Sequence, residues 1–555
     1  MKALIKSNYV LYLLAMCALL ALALSACSSP STKSLQDVRQ QTAEHGPDTS
    51  RFLVAIEDEP DTVDFQCTSI HYTIATNVFN RLVETKADAD GKATIVPSLA
   101  ESWDVSEDGR SYTFHLREGV TFSNGSALTS SDVLYTFTRL LTHPDSCNRD
   151  IVETIEGADQ LEQGKSDQLQ GFQIIDDQTF AITLKQPFEA FLACLSMPGA
   201  SIMDEQTVRA SGDRFGKDAA DTIGTGPFIL HEWEPGKGML LTANKDCWEG
   251  APKCEGLDLR FITDQEEARM LFENGELDIL DLDEVGNSAE FFIHGDIYQN
   301  RLYRVPRIAL TYIALNESIV PLNDVRVRKA LQLSLNRQML LDALYGGRGS
   351  VENGIYPHGL YGFNPNLPGI PYDLNEAKRL LQEAGYPDGF ALTYTVKSTS
   401  AQWEATLARL VTSMWADIGV RVSINVLDED SFMAFRKNGK LACYAATWTA
   451  DYDDPDNFIY TFFGNRENTN FRSLRYSKED VMKRVREART IADPDKRLRE
   501  YQELERIIVQ EDAAWIPLFS RLYHYVTSER VGNVIPAWNG SVKNEYRNVT
   551  IADTP

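Results

Sequence analysis

An uncharged apolar run from Tyr9 to Leu24 opens this chain of 555 residues and constrains everything after it. Lys2 and Lys6 precede the run, and the small residues Ser25 and Ala26 follow it. Charged, then apolar, then small is the layout of a secretory signal peptide. The competing use is an uncleaved anchor, but the run is short beside the roughly 20 residues that a span requires. Residues 1–26 are therefore expected to be a signal, and the remainder to fold outside the cytoplasm. No second run reaches spanning length.

The remainder is long enough to divide into more than one compact unit. A formal net charge of -26 repels phosphate backbones, which excludes nucleic acid as a partner. Residues 27–50 are rich in Ser, Thr, Gln and charge and read as a flexible tether. Order is expected from Phe52-Leu53-Val54-Ala55-Ile56, a buried-strand run.

Local signals continue along the chain. Tyr112, Phe114 and Leu116 alternate with Thr113, His115 and Arg117, which predicts a half-buried strand between the turn dipeptides Asp108-Gly109 and Asn124-Gly125. Thr129 and Asp132 form a capping box opening a helix through Val133, Phe137 and Leu140. Asn323 is expected to cap a helix carrying Val327, Leu331 and Leu335. Leu441 to Thr449 reads as a buried strand, Arg421 to Val426 as an alternating one, and Asp493-Pro494 begins a long helix through Tyr501, Leu504 and Ile508.

Of eight cysteines, Cys17 falls in the signal. Cys67, Cys147, Cys194, Cys247, Cys254 and Cys443 can pair in many ways, and the sequence does not choose among them. The local candidate for a disulfide is Cys247 with Cys254, across a turn holding Gly250 and Pro252. Closing so small a loop would stabilise by about 2–3 kcal/mol. No metal site is expected, since neither cysteine has a Cys-x-x-Cys partner, and no cofactor motif is present.

Two resemblances add to these readings. Leu24-Ser25-Ala26-Cys27 resembles a bacterial lipobox, which implies cleavage before Cys27 and a lipid on its sulfur. Leu99-Ala100-Glu101-Ser102-Trp103 and Glu107 to Phe122 resemble the signature of family 5 extracellular solute-binding proteins, the dipeptide and oligopeptide receptors of ABC importers. The likeness recurs in order at Gly224-Thr225-Gly226-Pro227-Phe228, Pro321 to Ala330, Ala377 to Gly385 and Trp448 to Phe458.

The resemblance implies an α/β fold, a two-lobed periplasmic-binding-protein type II clamshell with a subdomain inserted in the first lobe. On that basis residues 51–72, 189–305 and 515–555 form lobe I, 73–188 the insertion and 306–514 lobe II, with crossings near Val305 and Ala513. It also implies a short peptide ligand, permease and ATPase partners, a monomer, and membrane attachment through Cys27.

A peptide receptor must neutralise an ammonium group, and a carboxylate in a dry cleft does so strongly. Asp451 stands where peptide-binding relatives keep that aspartate; read without the likeness, it is a turn residue. Trp448, Thr449 and Ala450 precede it. Tyr356 is expected on a loop facing the cleft, and Cys67 on a loop approaching ligand. Lys397 is the candidate for the ligand's carboxylate, although strand parity turns it to the other face.

The same fold binding a nickel chelate, haem or oligosaccharide is the alternative. An extracellular hydrolase is more remote, and the chain is read as no enzyme. Gly-x-Ser-x-Gly and His-Glu-x-x-His are both missing.

Overall fold

The computed structural model describes residues 50–68, 72–88, 92–283, 285, 288–398, 402–541 and 545–552. Cys27, the expected signal and the tether up to residue 49 lie outside them. Strand Phe52–Ile56 forms where the apolar run predicts it, and it lies between Gly256–Phe261 and Ile279–Asp281, parallel to both. Buried on both sides, such a strand can be apolar throughout.

This strand belongs to a mixed sheet of twelve strands. Its two halves share one element, the thirteen-residue strand Trp515–Thr527. Through Phe519 that strand pairs with Ala309–Leu315, and from Leu522 it pairs with Leu302–Pro306. The second half continues outward through Cys443–Thr449, Ala391–Lys397 and Arg421–Leu427. Arg421–Leu427 is an edge strand with its side chains mostly exposed, so its alternation reflects pairing more than burial.

A separate four-stranded antiparallel sheet is built from Ala100–Val105, Ser111–Leu116, Thr179–Thr183 and Phe172–Asp176. Tyr112, Phe114 and Leu116 face its core as their alternation predicts. Phe114, Phe180 and Phe172 stack in a ladder, with centroids 5.3 and 4.9 Å apart. Helix Ser130–Thr142 covers this ladder and opens with the predicted capping box between Thr129 and Asp132. The core around the ladder also takes in Tyr452, which belongs to the loop after Cys443–Thr449 in the other half. The two halves therefore meet through side chains as well as through the shared strand.

Two sequence expectations are corrected. Asp324, not Asn323, caps helix Val325–Leu333: its carboxylate accepts the Arg326 N–H at 2.8 Å, one residue later than predicted. Cys247 and Cys254 are free thiols. Both are buried, and each sulfur turns to a different backbone carbonyl, Thr225 for Cys247 and Gly256 for Cys254. Local Gly and Pro suit a turn, but they do not aim the two sulfurs at each other.

Gly224 and Gly226 have a packing reason. Gly226 donates its N–H to the Val78 carbonyl at 2.8 Å, and a Cβ on Gly224 would stand against that same oxygen, well inside contact distance. Replacing Gly224 by Ala is expected to lower stability by about 1–3 kcal/mol, the usual cost of overpacking. Thermal unfolding checks this, and an unchanged midpoint would show that the segments holding Gly224 and Val78 part freely there.

Candidate functional site

Cys443–Thr449 ends against Ala309–Leu315, and its continuation is held through the backbone groups of Ala450. Ala450 donates its N–H to Ile308 at 2.8 Å, and its carbonyl accepts from Asn539 at 3.0 Å. The chain then turns through Asp451-Tyr452-Asp453 into helix Pro455–Phe463. Asp454 caps that helix, accepting the Asp456 N–H at 2.8 Å, with Pro455 in the first turn.

One side chain organises the turn. Asn457 Oδ1 accepts the Asp451 N–H at 3.1 Å and the Trp448 indole N–H at 3.2 Å. Its Nδ2 donates to the Asp451 carboxylate at 3.1 Å. Trp448 is half-buried, with its ring edge-on to Phe462 at 5.3 Å and under the Arg472 guanidinium at 5.5 Å.

Solvent reaches Asp451, yet protein crowds it from both halves of the molecule. Burial lifts its carboxyl to about 6. The Asn457 amide and the Arg472 cation work against that rise, and Asp150 adds to it. Asp150 belongs to the turn Arg149–Ile151 beside the four-stranded sheet, and burial raises its carboxyl as well. Tyr72 lies within the field of both aspartates, its hydroxyl anchored on Thr68 and Asn148. Burial in turn pulls the Arg472 guanidinium down to about 10. Two carboxylates thus come within each other's field where the halves meet, with one aromatic-stacked cation beside them.

The other sequence-derived residues fall in different places. Thr449 is half-buried at the strand end, opposite Ala309. Cys67 is half-buried near the crevice, its sulfur on Asp64 at 3.3 Å and His143 at 3.4 Å, and burial pushes its thiol up to about 12. Lys397 already pairs with Glu429 at 3.3 Å. Tyr356 is corrected: it does not face the crevice but is buried, with its hydroxyl donating to the Tyr501 carbonyl at 3.2 Å. Its loop is pulled inward by backbone bonds to Glu505, a contact that local sequence does not reveal. Among the described residues no group of three His, Cys, Asp or Glu side chains could hold a metal ion.

Asn457, Asp150, Tyr72 and Arg472 were missed. Asn457 stood within the Trp448 to Phe458 stretch and had a signal there. The other three come from distant segments and had none.

The turn is fixed from behind by ion pairs. Arg497 grips Asp454 with both terminal nitrogens, at 2.8 and 2.7 Å, and both side chains are buried. Asp456 accepts the hydroxyls of Tyr452 and Tyr501, each at 3.1 Å, and pairs with Arg489 at 3.1 Å. Arg489 also reaches across to Glu153 at 3.7 Å and covers the Phe188 ring at 4.5 Å.

Comparison with known proteins agrees with this architecture. Residues 94–470 match the model of the bacterial extracellular solute-binding proteins, family 5 Middle, and the chain belongs to that family. It is 28% identical over 455 residues to heme-binding protein A of Haemophilus influenzae, covering 80% of this chain and 81% of the relative. It is 27% identical over 492 residues to the dipeptide-binding protein of Escherichia coli K12, covering 85% and 89%. Among solved structures, the ABC transporter-associated periplasmic binding protein DppA from Helicobacter pylori, in complex with peptide STSA, superposes with a TM-score of 0.76. That match is 23% identical and covers 93% of this chain and all of the other. The fold is the two-lobed α/β clamshell of type II periplasmic binding proteins. No helix among the described residues is long and apolar enough to cross a membrane.

Arg497→Ala is expected to destabilise the protein by about 3–5 kcal/mol, since it strands Asp454 as a buried charge. Denaturant unfolding measures this. A wild-type midpoint would mean that the pair does not hold the turn.

Proposed function

We propose that this protein captures short peptides between its two lobes and delivers them to the permease of an ABC importer, whose ATPase drives uptake. It performs no catalysis. The observation that carries this reading is Asp451, a carboxylate held by Asn457 at the end of a sheet strand and facing the opposite lobe. A peptide's free ammonium supplies three donors and a charge to such a group. Asp150 and Tyr72 add acceptors from the first lobe, so an ammonium seated there touches both lobes and favours closure.

The ligand's carboxylate needs a cation. Lys397 is engaged by Glu429, whereas Arg472 lies beside Asp451 without leaving its aromatic cage, and it is the better fit. The haem-binding relative offers a second reading, but a dianionic porphyrin would meet two carboxylates here. We place the domain boundaries as the resemblance gives them, with lobe I, its insertion and lobe II joined at residues 305–306 and 514–515. The protein works as a monomer, tethered outside the cytoplasm by a lipid on Cys27.

Asp451→Asn keeps the shape and removes the charge. It should weaken a free-amine peptide by about 2–5 kcal/mol, whereas an N-acetylated peptide should bind both proteins equally poorly. Calorimetric titration of the four combinations tests this, and equal affinity of wild type for both peptides would sink the assignment. Mass spectrometry of ligand released from purified protein identifies the class directly.

The pH dependence has a definite sign. Without ligand the Asp451 carboxyl sits at about 6, above its ordinary 3.8, so below that point ammonium binding must first expel a proton. Affinity should be flat above about pH 6 and fall as pH drops through it, by about tenfold per unit. Stability moves the other way. The ligand-free fold holds the extra proton, so this group's contribution declines as pH rises from 3.8 to about 6.

Cys27→Ser is expected to move the protein from membranes to the soluble fraction with unchanged ligand affinity. Retention on membranes at the wild-type level would remove the lipid anchor.

A further inference from the structure

A cavity of about 190 Å³ lies behind the crevice in lobe II, between the 352–367 loop and helix Pro494–Arg506. Its walls include Glu352, Tyr356, His358, Phe363 and Glu505. A single water occupies roughly 30 Å³, so this is more than a one-water void.

Glu505 is 1% exposed. Its Oε1 accepts the N–H groups of Ile355 and Tyr356, at 2.7 and 3.0 Å. Gly354 permits that approach, because a Cβ there would strike the carboxylate. Oε2 accepts no hydrogen bond from the protein.

The neighbouring charges are committed elsewhere. Glu352, also 1% exposed, accepts from the His358 ring at 2.9 Å and from the Ser520 hydroxyl. Arg337 gives its N–H groups to the Glu352 and Ile370 carbonyls and to Asn353 Oδ1, not to either carboxylate. Burial, uncompensated by any neighbouring cation, pushes the Glu505 carboxyl up to about 8, and Glu352 adds to the rise.

We propose that this cavity is a cation subsite that takes a guanidinium or primary ammonium group, with Glu505 Oε2 as its acceptor and Tyr356 and Phe363 as its walls. A guanidinium offers paired N–H donors to a carboxylate, and aromatic faces attract cations. An anion would meet the charge of Glu352, and among the described residues no group of three His, Cys, Asp or Glu side chains is placed to hold a metal ion. The subsite does not depend on the peptide reading. Its loop nevertheless borders the crevice, since the Tyr361 N–H donates to Asp453 at 2.6 Å, two residues from Asp451. The cation is either the end of an arginine or lysine side chain of a bound ligand or a free small molecule.

Calorimetry with methylguanidinium, and with neutral methylurea as its isostere, tests the subsite without any peptide. Wild type should bind one methylguanidinium and release a proton near pH 6.5, read from the dependence of the heat on buffer ionisation. Glu505→Gln should weaken that binding by about thirtyfold or more, as loss of one member of a buried charge pair implies, and abolish the proton release. An arginine-containing peptide that displaces methylguanidinium assigns the subsite to a ligand side chain, and simultaneous binding assigns it to a free cation; the subsite stands in either case. Equal binding of methylurea, an unaffected Glu505→Gln, or no binding to wild type overturns it.

Discussion

Arg497 meets the carboxylate of Asp454 with two parallel hydrogen bonds, at 2.7 and 2.8 Å, in a place closed to water. Both ions lose hydration there, and only good geometry offsets that cost. The same carboxylate caps helix Pro455–Phe463, so pairing and capping fix one point in the chain from two directions. Everything at the site hangs from this point. Asp451 lies three residues before it and Asn457 three residues after, and their mutual hydrogen bonds close the turn.

The turn then couples to the opposite lobe. Tyr452 enters the core built on the four-stranded sheet, while its hydroxyl stays on Asp456. Arg489 pairs with that same Asp456 and reaches Glu153 and Phe188. A change in how the lobes meet is therefore felt within a few atoms of Asp451. Strand Trp515–Thr527 serves both halves of the sheet: its first part pairs with Ala309–Leu315 and its last with Leu302–Pro306, while Gly349–Val351 pairs with Phe519 to Arg521 between them.

Charge is distributed with the same economy. Most surface carboxylates face water, but Asp150, Asp451 and Asp453 are crowded, and burial lifts all three. Raised carboxyls reduce the cost of a ligand-free cleft, since a neutral acid needs no counter-ion.

Much of this was legible in the chain. Alternation fixed the faces of Tyr112, Phe114 and Leu116; the capping box at Thr129 and Asp132 fixed a helix start; and the apolar run Phe52–Ile56 marked a strand covered on both sides. These are local rules, set by the period of a strand or by a helix's unpaired N–H groups. The family likeness singled out Asp451, and its setting came only with the fold. Local chemistry misplaced the cap at Asn323, the Cys247–Cys254 bond and the outward Tyr356, because each depends on where a partner distant in sequence happens to lie. Asp150, Tyr72 and Arg472 gather around Asp451 only when the halves of the sheet come together. The sequence by itself determined which segments are strands and helices and where a carboxylate could end one. The tertiary structure alone decided which charges share a crevice, because burial and Coulomb interaction depend on distance through space and not along the chain.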